Sequence, residues 1–330
     1  MIKKVNINSG NYYKKLSKRK AFICGLKGTK LTKSEIIFLK KNKPYGVILF
    51  SRNIKTIDQT CKLTASIKKL FNDSLYPIFI DEEGGRVTRL NKLFDNTSFS
   101  SKFFGDLFLK NKRKFYLYLD IYINQVCHIL KLLGINCNTV PVLDLNIAGK
   151  HNIIGDRSYS SNPKVVSKIG DIIIKKFHEN KILTIIKHIP GHGLADVDSH
   201  KKLPVVSKSK SYLLKNDFYP FIKKKSIYSM TAHVLYKSID NANCATQSHK
   251  IIKIIRNKIK FNNIIMTDDI SMKALRYSLK ENIKKSYYAG CNIVLHCNAN
   301  LREMRVVADN SPCLNNFIIK KTTQIYKIIK

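Results

Sequence analysis

The chain has 330 residues, 44% of them hydrophobic and 10% aromatic, which suffices to bury a sizeable core and excludes a disordered polypeptide. No apolar run approaches the ~18–20 residues of a membrane-spanning helix, so a soluble protein is expected. Sixty Lys+Arg against 22 Asp+Glu give a formal charge of +38, which raises the question of a polyanionic partner.

The first residues, MIKKVNINSGNYYKKLSKRK, are basic and lack the apolar stretch of a secretory signal. Residues 1–18 therefore read as a basic extension, 19–330 as one domain, and the location as cytoplasmic. From there, short apolar and β-branched runs follow one another: AFICGL (21–26), YGVILF (45–50), YPIFID (76–81) and INCNTVPVLD (135–144). ILTIIKHIP (182–190), IYSMTAHVL (227–235), NIIMTDDI (263–270) and CNIVLHC (291–297) complete the set. Most are continuous rather than alternating, as expected of parallel strands covered on both faces. Helix-length amphipathic stretches lie between them, among them 57–72 and 164–180. Eight such units predict an α/β fold, a single-domain (β/α)8 TIM barrel, in preference to an open doubly wound sheet.

The lysines run from KKNK (40–43) to KKTTQIYKIIK at the end and accompany abundant Ile and Asn. That distribution reads as compositional bias over a solvated surface, so neither a specific nucleic-acid partner nor a membrane is expected. The eight cysteines show no CxxC spacing and read as reduced, mostly buried thiols.

In a parallel barrel the chemistry gathers where strands end. Here YPIFI runs into Asp81-Glu82-Glu83, TVPVL into Asp144, and ILTII into Lys187-His188. SMTA runs into His233 and NIIMT into Asp268-Asp269. Five ionisable strand ends exceed what helix caps require and point to an active site. Asp268 and Asp269 are adjacent, so one faces the barrel mouth and the other away, and spacing alone does not choose between them. Asp198 and His200, two apart in an irregular segment, suit a carboxylate orienting a general acid/base imidazole. His188 and His192 have the i,i+4 spacing of helical zinc ligands, but Pro190, Gly191 and Gly193 argue against a helix, and no metal site is expected. Arg86 and Arg89 either donate to a ligand or pair with Glu82 or Glu83.

Nine segments in order give the sequence a family resemblance: GLKGTKLT (25–32), GVILFSRNI (46–54), IDEEGGRVTRL (80–90), PVLDLN (141–146) and GDRSYS (155–160), then KHIPGHGLADVDSH (187–200), TAHVLY (231–236), TDDISMKAL (267–275) and AGCNIVLHCN (289–298). It resembles glycoside hydrolase family 3, in particular the single-domain bacterial β-N-acetylglucosaminidases of peptidoglycan recycling. The resemblance implies that Asp268 is a nucleophile forming a covalent glycosyl-enzyme, that His200 is the acid/base, and that Asp198 orients it. It implies that Asp81, Arg89, Arg157, Lys187 and His188 hold an N-acetylglucosamine ring, on a saccharide or muropeptide substrate. No cofactor is implied, and a monomer is expected. Leu194-Ala195 departs from the Asp-Thr that relatives carry, and Glu82 stands where Gln is usual. Three other readings compete: another family-3 exoglycosidase such as a β-glucosidase, a metal-dependent barrel hydrolase using His188, His192, His233 and Asp268, and a non-catalytic polyanion-binding protein.

Overall fold

The computed structural model describes residues 10–147, 153–195, 197, 199 and 202–329. Eight parallel strands close into a barrel: β1 (Lys20–Gly25), β2 (Pro44–Leu49), β3 (Ile78–Ile80), β4 (Cys137–Asn138), β5 (Leu183–Ile189), β7 (Tyr228–Thr231), β9 (Ile264–Asp269) and β10 (Ile293–His296). Each pairs with its sequence neighbour, and β10 returns to β1. Two short strands outside the barrel, β6 (Val205–Val206) and β8 (Leu235–Tyr236), pair with each other. The helices are α1 (Gly10–Ser17), α2 (Lys33–Asn42), α3 (Ile57–Leu70), α4 (Ser101–Lys110), α5 (Lys112–Leu132), α6 (Pro163–Glu179), α7 (Lys210–Lys215), α8 (His249–Asn257), α9 (Leu279–Ala289), α10 (Leu301–Asp309) and α11 (Asn316–Ile329). The (β/α)8 TIM barrel expected from the apolar runs is the fold.

The runs are continuous because each strand is buried on both faces; every residue of β2 and β5 is buried. Inward residues such as Ile23, Ile48, Phe79, Ile185, Met230, Met266 and Leu295 fill the barrel, and a second apolar layer lies between strands and helices. Residues 10–17 of the basic N-terminal stretch form α1, whose Tyr12 and Leu16 join the inner core together with Ile318 and Ile319 of α11. The hydroxyls of Tyr45, Tyr228 and Thr322 hydrogen-bond one another at the same end (2.7 and 3.0 Å). That end is thereby plugged, leaving the opposite mouth for a site.

One expectation needs correcting. The ten-residue run 135–144 keeps only Cys137–Asn138 in the regular ladder. Pro141 has no N–H to donate, and beyond it the chain touches β5 through single bonds, Lys187 N–H to the Pro141 carbonyl and Leu143 N–H to the Lys187 carbonyl. All eight cysteines are free, and five of them are buried.

Candidate active site

The C-terminal ends of β3, β4, β5 and β9 converge on one cleft of about 580 Å³. Its lining includes Asp81, Arg157, Lys187, His188, His192, Ser199 and Asp268, with Phe50, Ile154 and Met230 as apolar wall.

One wall is a ladder of charges. Asp81 and Glu83 are two residues apart in extended chain, so both reach Lys187, which is 2% exposed. The Lys187 ammonium bonds Asp81, Glu83 (2.6 Å) and the Thr139 hydroxyl (2.8 Å). Glu83 also receives Arg157 through Nε and Nη2, both at 2.8 Å, the two-pronged geometry a guanidinium fork provides. Arg89 closes the ladder on the far side of Asp81 (2.7 Å). Burial works to raise the carboxyls of Asp81 and Glu83, but neighbouring cations outweigh it and hold both below the ordinary range: Lys187 and Arg89 for Asp81, Arg157 and Lys187 for Glu83. Burial likewise opposes the charge of Arg157, and Glu83 more than offsets it.

Glu82 turns the other way, accepting from Thr88 Oγ1 (3.1 Å), Arg89 N (2.6 Å), Leu90 N (3.0 Å) and Asn96 Nδ2 (2.6 Å). It thus shapes the loop that presents Arg89. Arg86 pairs with Asp156 (2.7 Å) and donates to the carbonyl of Ile154 (3.1 Å), so its partners are not those expected from the sequence.

The opposite wall is sparse. The Asp268 side chain, 19% exposed, accepts one hydrogen bond among the described residues, from the N–H of Asp269 (2.7 Å), and lies 4.0 Å from His188 Nε2. Burial pushes its carboxyl up, but His188, His233 and that N–H bring it below the usual value, so it is ionised at neutral pH. Its neighbour Asp269 is tied into the scaffold by Ser271 N (3.1 Å), Ser271 Oγ (2.9 Å) and Cys297 N (3.2 Å). The strand alternation left open by the sequence is thus resolved: Asp268 faces the cleft and Asp269 faces the scaffold.

His188 is oriented from behind. Its Nδ1 donates to Asp144 (2.6 Å), which leaves Nε2 toward Asp268. Asp144 is fully buried and also accepts the His188 N–H (3.2 Å) and the His192 N–H (2.7 Å). Residues 190–195 form an irregular turn, as Pro190 and the glycines predict, and the rings of His188 and His192 stand 5.6 Å apart. Burial, followed by the neighbouring His188, lowers His192 to about 4, so it is neutral. His233 is withdrawn from the cleft: Nε2 donates to the Asp269 carbonyl (3.0 Å) and Nδ1 faces the Thr246 hydroxyl (2.7 Å). The four-ligand metal set suggested by the sequence therefore does not assemble, and among the described residues no three His, Cys, Asp or Glu side chains are grouped to hold a metal ion.

Asp198 and His200 lie outside the described residues. Ser199 lines the same cleft as Asp268. Leu194 and Ala195 are buried and join the outer apolar core, an environment in which a charged side chain would be costly. Glu83 and Asp144 are the site residues that the sequence left without a role. Their signals were the two-residue spacing from Asp81 and the carboxylate closing PVLD.

Residues 16–325 match the family model described as the glycosyl hydrolase family 3 N terminal domain. The chain belongs to glycosyl hydrolase family 3. Within this family it is 33% identical over 277 residues to a beta-hexosaminidase of Nitrosomonas eutropha, covering 82% of this chain and 78% of that one. A beta-hexosaminidase of Neisseria meningitidis serogroup C is 34% identical, with 80% and 76% covered. Among solved structures, native NagZ from Neisseria gonorrhoeae superposes with a TM-score of 0.83 at 29% identity, covering 94% of this chain and 90% of that one. The same protein in complex with N-trifluoroacetyl-D-glucosamine gives a TM-score of 0.83 at 28% identity and the same coverage. Among the described residues, no helix of this family member is long and apolar enough to cross a membrane.

Proposed function

We propose that this family-3 glycoside hydrolase is a retaining exo-β-N-acetylglucosaminidase that removes terminal N-acetylglucosamine from peptidoglycan fragments in the cytoplasm. The observation that carries the reading is the pairing of an ionised Asp268 with a ladder of alternating charges (Arg89, Asp81, Lys187, Glu83, Arg157) across one cleft. In this reading Asp268 attacks the anomeric carbon and forms a glycosyl ester while His200, oriented by Asp198, protonates the departing oxygen. His200 then takes a proton from water as the ester is hydrolysed. Asp81, Arg89, Arg157, Lys187 and His188 hold the hydroxyls and the acetamido group, contributing orientation. The catalytic domain is taken as 19–330, acting as a monomer, with 1–18 as an extension. The beta-hexosaminidase names of the relatives and the N-acylglucosamine ligand of the gonococcal protein support the choice of sugar.

The test compares 4-nitrophenyl N-acetyl-β-glucosaminide with the corresponding glucoside, using wild type and Asp268→Ala. Turnover of the former, at least a hundredfold preferred and abolished in the variant, is expected. A preference for the glucoside would make the chain another kind of family-3 exoglycosidase.

A further inference from the structure

Under the turn that follows His188 and carries His192 lies an acid that the mechanism above does not use. Asp217, between α7 and the short helical turn at 219–221, is 0% exposed, and neither carboxyl oxygen has a well-formed hydrogen-bond partner among the described residues, although the Gly193 N–H faces it. An ionised carboxylate so placed would be prohibitively costly, and the group escapes by staying protonated. Burial raises its carboxyl far above the ordinary range, and the neighbouring charge of Asp144 adds to the effect.

The turn is built around this side chain. A Cβ at Gly191 would come within 2.6 Å of the Asp217 carboxyl carbon and 2.7 Å of Oδ2. A Cβ at Gly193 would lie 3.1 Å from Oδ1 and 2.4 Å from the Leu145 carbonyl. Gly191 also has φ +151, so both the backbone and the space demand glycine there. Tyr236 donates its hydroxyl to the Gly191 carbonyl, and Asp144 takes the N–H groups of His188 and His192. The turn is therefore gripped by Asp144 and Tyr236 and propped by Asp217. Phe218 and Tyr236, in edge-on contact at 5.2 Å, are fully buried, as is Asp217.

We propose that Asp217 is a positioning residue for the reaction at Asp268: as a prop beneath Gly191–Gly193 it sets where His188 stands in the cleft. The consequence for turnover rests on the assignment of His188 to the sugar subsite; the positional effect on the turn does not. Removing the prop leaves a void into which the turn sinks, loosening the two N–H bonds to Asp144 and shifting His188 Nε2. An amide of the same shape fills the space without charge and preserves both.

The experiment uses the full chain with Asp217→Ala and Asp217→Asn, measuring amide hydrogen exchange at His188 and His192 alongside KM and kcat on the glycoside that wild type hydrolyses. Asp217→Ala is expected to speed exchange at both amides at least tenfold and to raise KM about tenfold, with kcat within threefold. Asp217→Asn is expected to restore both quantities to within threefold of wild type. A lowered melting temperature with unchanged exchange and KM in Asp217→Ala would reduce Asp217 to a packing residue and overturn the proposal. So would an Asn variant as impaired as the Ala variant. If wild type hydrolyses no glycoside, the functional reading fails, and the exchange measurement alone decides the role of Asp217.

Discussion

The two walls of the cleft solve opposite problems. On the β3–β5 side, Asp81, Glu83, Lys187, Arg157 and Arg89 alternate in sign and bond one another. On the β9 side, Asp268 accepts one backbone N–H among the described residues and meets an imidazole at 4.0 Å. Buried charges in mutual contact are rigid and cannot be removed singly without stranding a partner. A carboxylate with few partners is held ionised by its surroundings yet keeps lone pairs for an incoming electrophile. In the proposed reading, the binding wall and the reacting group thus differ in the number of their partners more than in residue type.

The largest effect that would break this contrast is expected at Asp268. Asp268→Ala should lower kcat by at least ~10⁴-fold, about 5.5 kcal/mol of barrier, while shifting the melting temperature little, because few contacts are lost. A variant that fails to fold would place Asp268 among the scaffold residues instead. On the other wall, Glu83→Gln leaves Arg157 and Lys187 sharing an uncharged partner in a buried site. It should cost about 3 kcal/mol by urea unfolding and raise KM at least tenfold. An effect below about 1 kcal/mol would mean that the ladder is not mutually dependent.

Two histidines, His192 buried and His178 half-buried, sharpen the contrast through pH. His178 and His192 are both lowered to about 4, principally by burial. Unfolded, each binds its proton near 6.5, so between pH 6.5 and 4 the unfolded chain holds more protons and stability falls as pH falls. The slope should diminish in His178→Gln, which removes one titrating group remote from the cleft, while the remainder stays. Stability constant across that window would contradict the lowering of both imidazoles. A smaller effect is expected at Asp269. Asp269→Asn disturbs the bonds from Ser271 and Cys297 and should cost about 1–2 kcal/mol of stability with kcat reduced far less than in Asp268→Ala.

Much of this was readable in the chain. Parallel strands buried on both faces leave continuous apolar runs, so all eight barrel strands and the polar groups at their ends could be located directly. The two-residue strands Val205–Val206 and Leu235–Tyr236 left no such mark, because a pair that short carries no periodicity. Asp268 and Asp269 could be paired but not told apart, since alternation fixes opposite faces and only packing decides which face is the cleft. For Arg86 neither a ligand nor Glu82 or Glu83 is the partner found, because charge proximity in sequence says nothing about where a loop folds, and Asp156, with which it pairs, is seventy residues away. Asp217 was invisible: only the glycines it props were legible, and the acid itself sits in an unremarkable NDFYPF stretch.

The account stands on Asp268 as the attacking group, and the most direct measurement is to trap what it forms. Incubation with a 5-fluoro N-acetylglucosaminyl fluoride, which slows breakdown of a glycosyl ester, followed by peptide mass spectrometry, should find the sugar on the peptide carrying Asp268 and nowhere in Asp268→Ala. Turnover without any adduct, or a label on another carboxylate, would contradict it.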